Sequence, residues 1–372
     1  MSRVSRPDPA RAELDARVLA WMREPGFAAD EARFDALARD LFAFQVAHCP
    51  PYARFCEARG RTPERVASWR EIPAVPTGAF KELALRSFPP ERTCKVFRTS
   101  GTTDERRGAL HLDTVTVYEA SLGPTFERFV LPDLAPGERA LFAVLAAAPG
   151  EAPDSSLSHM FGALLARRGA EGSRFFVRGG RLDVDALLKA LGAAAQRPEP
   201  IALCGTAFAF VHLLEALEAG GRALRLPETA RLMETGGFKG RARERSRDEL
   251  YAELEARLGV PPARVVNQYG MTELGSQFYD SVLREPDAPR RKLGPPWARA
   301  RVVDPESGEE CAPGEVGLLA VVDLANTGSV LALQTADVAR SLGDGFELVG
   351  RAPGAEARGC SIAADALLGA TG

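Results

Sequence analysis

The sequence predicts an α/β protein built on a mostly parallel sheet, and three features of the chain support this prediction. Apolar runs alternate with stretches of helical spacing between residues 113 and 235, which is the pattern of strand–helix–strand units with helices on both faces of a sheet. Successive apolar runs end in glycine or threonine, as expected where strands of such a sheet meet a ligand. Beyond residue 294, shorter apolar runs separated by turns indicate antiparallel strands.

Each predicted element follows from local patterning. Apolar residues recur at helical spacing across residues 11–60, and this pattern predicts helices interrupted by prolines at positions 50, 51 and 63. Residues 72–77 contain two prolines and are predicted to be extended. Further along the chain we predict helices at 114–129, 158–168, 183–195 and 206–218, and strands at 140–145, 174–177, 201–204, 230–234, 265–268, 299–303 and 318–322.

The chain has 372 residues, more than one small core requires, so several sub-domains are expected. The change from helical spacing to strand–helix alternation, and then to short strands and turns, marks their boundaries. We predict a helical N-terminal region at 1–95, an α/β core at 96–293, a small β sub-domain at 294–350 and a short tail at 351–372.

Composition excludes several classes of function. The chain carries 47 basic and 50 acidic residues, and the one short basic run lies at 239–247, so we expect no nucleic-acid partner. Its longest apolar runs, 140–149 and 201–214, fall short of the roughly 18–20 residues that a membrane span needs. The first residues lack the apolar core of a signal peptide. We therefore expect a cytoplasmic protein without a membrane span.

The six cysteines form no CxxC pair and no cluster with histidine, which argues against a zinc site and a disulfide scaffold. Most are interpreted as small core residues. Cys360 differs, because it lies in a polar, glycine-flanked tail with Arg358 nearby, and a neighbouring cation favours the nucleophilic thiolate. The alternative is an inert, buried tail cysteine.

One hydroxyl-rich stretch separates two short predicted strands at 94–97 and 110–112. A turn of this composition lets backbone N–H groups approach an anion while each hydroxyl donates a further hydrogen bond. The alternative is an ordinary hairpin tip, since these residue types favour turns. The stretch consists of Thr99, Ser100, Gly101, Thr102 and Thr103.

Candidate site residues also follow three predicted strands of the core. Gly205 and Thr206 follow one strand, and Thr235, Gly236 and Gly237 follow the next. A third strand leads into Tyr269, Gly270, Met271, Thr272 and Glu273. Because ligands bind beyond the carboxyl ends of parallel strands, these positions predict a binding site.

Four motifs in this order resemble the adenylate-forming enzyme superfamily, whose members carry TSGTT, YGxTE, TGD and GR. They are residues 99–103, 269–273, 335–337 and 350–351. Within that superfamily the chain is most similar to the acyl-protein synthetases of the bacterial luciferase system, the LuxE-like enzymes. The resemblance implies the large N-terminal adenylation domain of such an enzyme, without the full C-terminal lid domain.

The resemblance implies that Ser100, Thr102 and Thr103, together with Thr99 and Gly101, hold the β- and γ-phosphates of ATP. Thr272 would bond the α-phosphate, and Glu273 would help to hold Mg²⁺, a cation that prefers carboxylate and phosphate oxygens. The bland alternative for Glu273 is an acid at a helix start.

Other positions would contact the remaining parts of the nucleotide and the acyl group. Tyr269 would lie against adenine, beside Gly270 and Met271, and Gly236 and Gly237 would let backbone approach nucleotide and acyl group. Asp337 would bond the ribose hydroxyls, Arg351 would lie beside ribose or phosphate, and Cys360 would accept the acyl group as a thioester. His159 and Gly205 are further candidates for substrate binding. Each of three candidates also has a structural alternative: Asp337 as a turn residue, Arg351 as a surface charge and His159 as a structural histidine.

The chain departs from the superfamily pattern at three points. The loop lysine is absent, and Arg106 or Arg107 stands nearest its place. The middle glycine of TGD is Ala336. The lysine of the lid domain also lacks a counterpart; Lys95, Lys239, Lys292 or a partner protein would have to complete the site.

The leading hypothesis is an enzyme that uses ATP and Mg²⁺ to convert a carboxylic acid to an acyl-adenylate. We expect this acid to be a fatty acid. The acyl group would pass to Cys360 or to a partner's thiol, with an acyl reductase or an acyl carrier as partner. One alternative is an aryl- or acyl-CoA ligase resembling phenylacetate-CoA ligase, and another is a non-catalytic nucleotide-binding subunit. The sequence leaves chain length, final acceptor and oligomeric state open.

Overall fold

The computed structural model describes residues 8–99, 106–236 and 246–352. The chain divides into two compact units. The first comprises Met1–Pro124, Met271–Gln277 and Leu293–Gly372, and the second comprises Thr125–Gly270 and Phe278–Lys292. The division into four regions inferred from the sequence stays a prediction.

The helices are α1 Pro9–Arg23, α2 Glu31–His48, α3 Pro50–Ala58, α4 Ala79–Glu82, α5 Thr116–Val130, α6 Ser156–Arg168, α7 Val184–Ala194, α8 Ala207–Ala219 and α9 Arg247–Leu258. Short 3₁₀ turns lie at Trp69–Glu71, Pro90–Arg92 and Pro262–Arg264. The strands are β1 Val75–Pro76, β2 Lys95–Arg98, β3 Ala109–Leu112, β4 Leu141–Ala147, β5 Arg174–Arg178, β6 Arg181–Leu182, β7 Ile201–Thr206, β8 Arg231–Thr235, β9 Val265–Tyr269, β10 Phe278–Asp280, β11 Lys292–Leu293, β12 Ala298–Val303, β13 Val316–Asp323, β14 Ala332–Ser341 and β15 Phe346–Arg351.

A mostly parallel sheet forms the second unit, as predicted. Its strand order is β10-β9-β8-β7-β4-β5-β6, in which β4, β5, β7, β8 and β9 run parallel. Strands β6 and β10 run antiparallel to their respective neighbours β5 and β9. Leu203 and Leu232 belong to a core shared with α7, α8 and α9. Phe142, which alternates to the opposite face, stacks on Phe126 of α5 with ring centroids 5.7 Å apart, so helices cover both faces.

The first unit combines helices with antiparallel strands. Strands β12, β13, β14 and β15 pair in that order, and β1 adds to β14 in parallel register. Strands β2 and β3 form a separate hairpin. Pro50 and Pro51 begin α3 at its first turn, where a missing backbone N–H costs nothing, so the predicted interruption is the junction of two helices.

Helix α9 was not predicted from the sequence. The signal was present, because Ser246 and Glu249 form a capping box at the start of this helix. Leu250, Tyr251 and Leu254 then repeat at helical spacing on its buried face. Among the described residues, no helix is both long enough and apolar enough to cross a membrane.

One buried arginine ties the end of α5 to the central strands of the second unit. Arg231 is 1% exposed and donates to both carboxylate oxygens of Asp133, at 2.5 and 2.9 Å. Burial acts to raise the pKa of Asp133, but the hydrogen bond and charge of Arg231 outweigh it and lower this pKa. The guanidinium also donates to the Thr229 carbonyl at 2.7 Å.

We expect Asp133→Ala to destabilise the protein by about 2 kcal/mol, because it removes two charge-assisted hydrogen bonds from a buried guanidinium. Asp185→Ala is the matched control, since it removes an exposed Arg222–Asp185 pair at 2.8 Å from the same unit. Urea denaturation followed by circular dichroism measures both. Equal midpoints for the two variants would contradict a stabilising role for the Arg231 contact.

Candidate functional site

The β2–β3 hairpin presents the first candidate segment. The backbone N–H of Thr99 donates to the Gly108 carbonyl at 3.0 Å, and the Gly108 N–H donates to the Thr99 hydroxyl at 2.9 Å. These bonds place Thr99 at the end of the paired strands, in the hairpin position that both interpretations of this stretch require. Ser100, Gly101, Thr102 and Thr103 lie outside the described residues.

A hydrogen bond brings the second candidate segment to this hairpin. The Thr272 hydroxyl donates to the carbonyl oxygen of Arg98 at 3.3 Å, across 174 positions of sequence. Arg98 is the last residue of β2 and immediately precedes Thr99. The structure therefore brings together two segments that the sequence indicates as partners, whereas the hydrogen bond itself was not predicted.

Two residues that the sequence analysis did not select hold the segment carrying Thr272. Asn326 donates from Nδ2 to the carbonyl oxygen of Glu273 at 2.8 Å. Asp323 accepts from the backbone N–H and the hydroxyl of Ser276, each at 2.7 Å. Asp323 ends β13 and Asn326 lies in the polar turn that follows, and this turn between two apolar strands was the signal available in the sequence.

The structure also brings Asp337 and Arg351 together. They are opposite each other in the register of β14 and β15, and Arg351 Nε donates to Asp337 Oδ1 at 2.9 Å. The Asp337 side chain is 13% exposed and that of Arg351 is 50% exposed, so the pair presents its guanidinium to solvent. The backbone N–H of Asp337 donates to the Thr335 hydroxyl at 3.1 Å, which links the first and third residues of this motif.

In the second unit, three strand ends carry candidate residues along one edge of the sheet. Thr235 of β8 lies opposite Thr206 of β7 and Gln268 of β9, so the ends of these strands are level. Gly236 has φ +86°, a conformation that favours glycine. At Gly205 a Cβ would lie 2.8 Å from the Leu145 Cβ, so close strand packing gives this glycine a structural reason as well.

The remaining candidates of this unit are placed as follows. Tyr269 ends β9, is 7% exposed, and its ring centroid lies 6.3 Å from that of Phe278. His159 lies in the first turn of α6, where its N–H donates to the Ser155 carbonyl. Gly270 directly follows β9, and Met271, half-buried, begins the next segment. Gly237 and Lys239 lie outside the described residues.

Three of the cations considered as substitutes for the absent lysines already bind partners within the described structure. Arg106 pairs with Glu82 at 2.7 Å, and Arg107 Nε donates to the Thr99 carbonyl at 2.5 Å. Lys292 is buried and forms an ion pair with Asp280. Burial acts to raise the pKa of Asp280, but the charges of Lys292 and Arg290 outweigh it and lower this pKa.

Lys95 and Cys360 complete the candidates. The Lys95 ammonium lies 5.6 Å from the ring centroid of Phe97, within range of a cation–π contact. Cys360 lies outside the described residues. Within the described part of the chain, the other cysteines are unpaired thiols.

The Glu273 carboxylate is a type of ligand that suits Mg²⁺. No group of three histidine, cysteine or acidic side chains able to hold a metal occurs within the described ranges. Mg²⁺ does not need such a cage, because it commonly binds one or two carboxylates together with substrate phosphates and water. A carboxylate at position 273, next to the hydroxyl of Thr272, suits that mode of binding.

The fold matches enzymes that form acyl-adenylates. The structure of 2-hydroxyisobutyryl-CoA ligase with 2-HIB-AMP aligns with a TM-score of 0.60 and 16% identity, over 92% of this chain and 70% of that chain. Its open conformation with 2-HIB-AMP and CoA aligns with a TM-score of 0.59 and 17% identity, over 86% and 70% of the two chains. The chain spans 49% of ATP-bound MatB from Rhodopseudomonas palustris. The fold is therefore that of the adenylate-forming enzymes.

The family is narrower than the fold. The family model described as "Acyl-protein synthetase, LuxE" matches residues 11–368, and the chain belongs to this family. A curated relative, the long-chain-fatty-acid–luciferin-component ligase of Aliivibrio fischeri, is 22% identical over 335 residues, which are 88% of this chain and 85% of that protein. These comparisons confirm the resemblance and the class of enzyme inferred from the sequence.

A buried polar cluster lies near the end of β8, just before Gly236. Glu234 is 3% exposed and accepts from the Tyr251 hydroxyl at 2.8 Å and from Asn267 Nδ2 at 2.6 Å. Both bonds go to Oε1, and Oε2 is buried with no hydrogen-bond partner among the described residues. Burial raises the pKa of Glu234, and the two hydrogen bonds only partly oppose this effect.

Because the pKa of Glu234 is raised, folding favours its protonated form. The stability that this proton contributes is present below pH 4.5, the ordinary pKa of glutamate, and is lost as the pH rises through the folded-state value. Glu234→Gln stays neutral, so we expect its unfolding midpoint in urea to improve relative to wild type as the pH rises. Exposed Glu218→Gln is the control. A Glu234→Gln difference that is independent of pH would contradict the assignment.

Proposed function

We propose that this protein activates a fatty acid as an acyl-adenylate with ATP and then transfers the acyl group to a cysteine thiol. The observation that carries the proposal is the hydrogen bond from Thr272 to the Arg98 carbonyl at 3.3 Å. This bond holds together the two segments that the family resemblance assigns to the phosphates of ATP. Membership of the acyl-protein synthetase family and the fatty-acid ligase relative support it.

The first step joins two anions, so the protein must neutralise charge and align the reactants. A carboxylate oxygen of the fatty acid attacks the α-phosphorus, the new oxygen–phosphorus bond forms, and the bond to pyrophosphate breaks. Thr272 donates its hydroxyl to the α-phosphate, exchanging the Arg98 carbonyl for a charged acceptor. The hydroxyl-rich stretch at 99–103 holds the β- and γ-phosphates. Glu273 would hold Mg²⁺ together with the phosphates, and the ion would neutralise part of their negative charge.

Other residues orient the nucleotide and the acid. Asp337 accepts hydrogen bonds from the ribose hydroxyls, and Arg351, which Asp337 holds at 2.9 Å, lies beside ribose or phosphate. Tyr269 lies against adenine, with Gly270 and Met271 beside it. The backbone at 236–237 approaches nucleotide and acyl group, and His159 and Gly205 line the acid's site.

The second step transfers the acyl group to sulfur. The Cys360 thiolate attacks the acyl carbonyl, a thioester forms, and AMP leaves with the electrons of the broken carbon–oxygen bond. An acyl reductase or an acyl carrier in the cytoplasm would consume the thioester. One observation favours a second acceptor: the aligned 2-hydroxyisobutyryl-CoA ligase structure contains CoA, so CoA is the alternative thiol.

Thr272→Ala combined with Glu273→Ala should lower carboxylate-dependent pyrophosphate release by about a hundredfold or more, because it removes a phosphate donor and the metal carboxylate. A coupled assay of pyrophosphate with a fatty acid measures this loss. Thr62→Ala combined with Glu64→Ala is the matched control, since these two residues form a hydrogen-bonded threonine–glutamate pair in the same unit. Undiminished turnover in the first double variant would sink the assignment.

Incubation with ATP, Mg²⁺ and a mixture of fatty acids should add one acyl group to the wild-type protein, as measured by intact mass spectrometry. We expect Cys360→Ser to lack the adduct, and Cys94→Ser, an exposed cysteine of the first unit, to retain it. Hydroxylamine should release the adduct because it is a thioester. AMP and pyrophosphate without an adduct, with acyl-CoA formed on addition of CoA, would instead establish the CoA ligase.

A further inference from the structure

The segment Met271–Gln277 lies between β9 and β10, outside every helix and strand. A turn bond from the Leu274 N–H to the Met271 carbonyl, at 3.2 Å, shapes it locally. Such a bond cannot set where the segment lies relative to the rest of the unit. Contacts with other elements must fix the positions of Thr272 and Glu273.

Besides the Thr272–Arg98 bond, those contacts come from Asp323 at the end of β13 and from the polar turn that connects β13 and β14. Asn326, 3% exposed, donates from Nδ2 to the Glu273 carbonyl at 2.8 Å. Asp323, fully buried, accepts twice from Ser276 and once from the Ala325 N–H at 2.9 Å. The two chains pack closely as well, because a Cβ at Gly275 would lie 2.8 Å from the Ala325 Cβ.

Helix α2 anchors the turn between β13 and β14. Gln45 is fully buried and donates from Nε2 to the Asn326 carbonyl at 2.8 Å. Its Oε1 accepts from the Leu331 N–H at 2.9 Å, at the far end of the same turn. Gln45 thus bridges both ends of the turn, and Asn326 passes this constraint directly to the backbone of Glu273.

We propose that Asn326, anchored by Gln45, is the positioning residue that sets the Glu273 carboxylate for Mg²⁺–ATP. The inference rests on the proposed function of Glu273. It follows from the geometry, because Asn326 donates to the Glu273 backbone from a buried side chain. Residues that orient a metal ligand are worth about ten- to a hundredfold in metal affinity or activity.

Asn326→Leu tests the proposal, since it keeps the side-chain volume and removes the donor. We expect the Mg²⁺ concentration for half-maximal pyrophosphate release to rise about tenfold, with the KM for fatty acid little changed. Independently of any ligand, hydrogen–deuterium exchange of the free protein should be faster in residues 271–277. Tyr52→Phe is the matched control, because it deletes another buried donor to a backbone carbonyl, that of Pro73 at 3.0 Å, in the same unit.

An unchanged Mg²⁺ requirement and unchanged exchange in Asn326→Leu would overturn the inference, even if its thermal midpoint falls as in Tyr52→Phe. If Asn326→Leu does not fold, Gln45→Met decides by the same two criteria. Wild type and Glu273→Ala are measured alongside. No pyrophosphate from wild type overturns the proposed function and this inference with it, whereas an altered Mg²⁺ dependence in Glu273→Ala alone overturns only the inference.

Discussion

The hydrogen bond between the Thr272 hydroxyl and the Arg98 carbonyl is the constraint on which the candidate site depends. It joins a hairpin end to an irregular segment that is distant in sequence, at a separation of 3.3 Å. The bond is longer than the usual O–H···O distance of about 2.7–2.8 Å, so it brings the two segments together while leaving the hydroxyl able to change its acceptor. A threonine suits the position, because its hydroxyl can bond a backbone carbonyl in the free protein and a phosphate oxygen when a nucleotide is bound.

In each of the two units, buried polar side chains hold the backbone beside candidate site residues. In the first unit, Asp323, Asn326 and Gln45 satisfy backbone groups that no helix or strand would pair. In the second, Glu234 and Asn267 link the neighbouring strands β8 and β9 just before Gly236 and Tyr269. Removing one partner from such a network leaves a buried polar group unpaired, which costs about 1–3 kcal/mol. Within each unit, the backbone beside the candidate site residues is therefore held by buried hydrogen bonds.

Periodicity and motif order made much of the fold predictable from the sequence. The parallel strands and the helices between them follow from apolar spacing. The sequence placed Asp337 and Arg351 in one motif order but did not predict that they pair. Contacts between distant segments were not predictable, because neither Asn326 nor Gln45 carries a local pattern that points to Glu273. Helix α9 was predictable but missed, since its capping box is local.

A crystal structure with a non-hydrolysable fatty acyl-adenylate analogue tests the central claim most directly. In this complex we expect the Thr272 hydroxyl to leave the Arg98 carbonyl. It should lie within hydrogen-bond distance, about 2.7 Å, of the group that replaces the phosphate. An analogue bound elsewhere, with Thr272 still bonded to Arg98, would contradict the account.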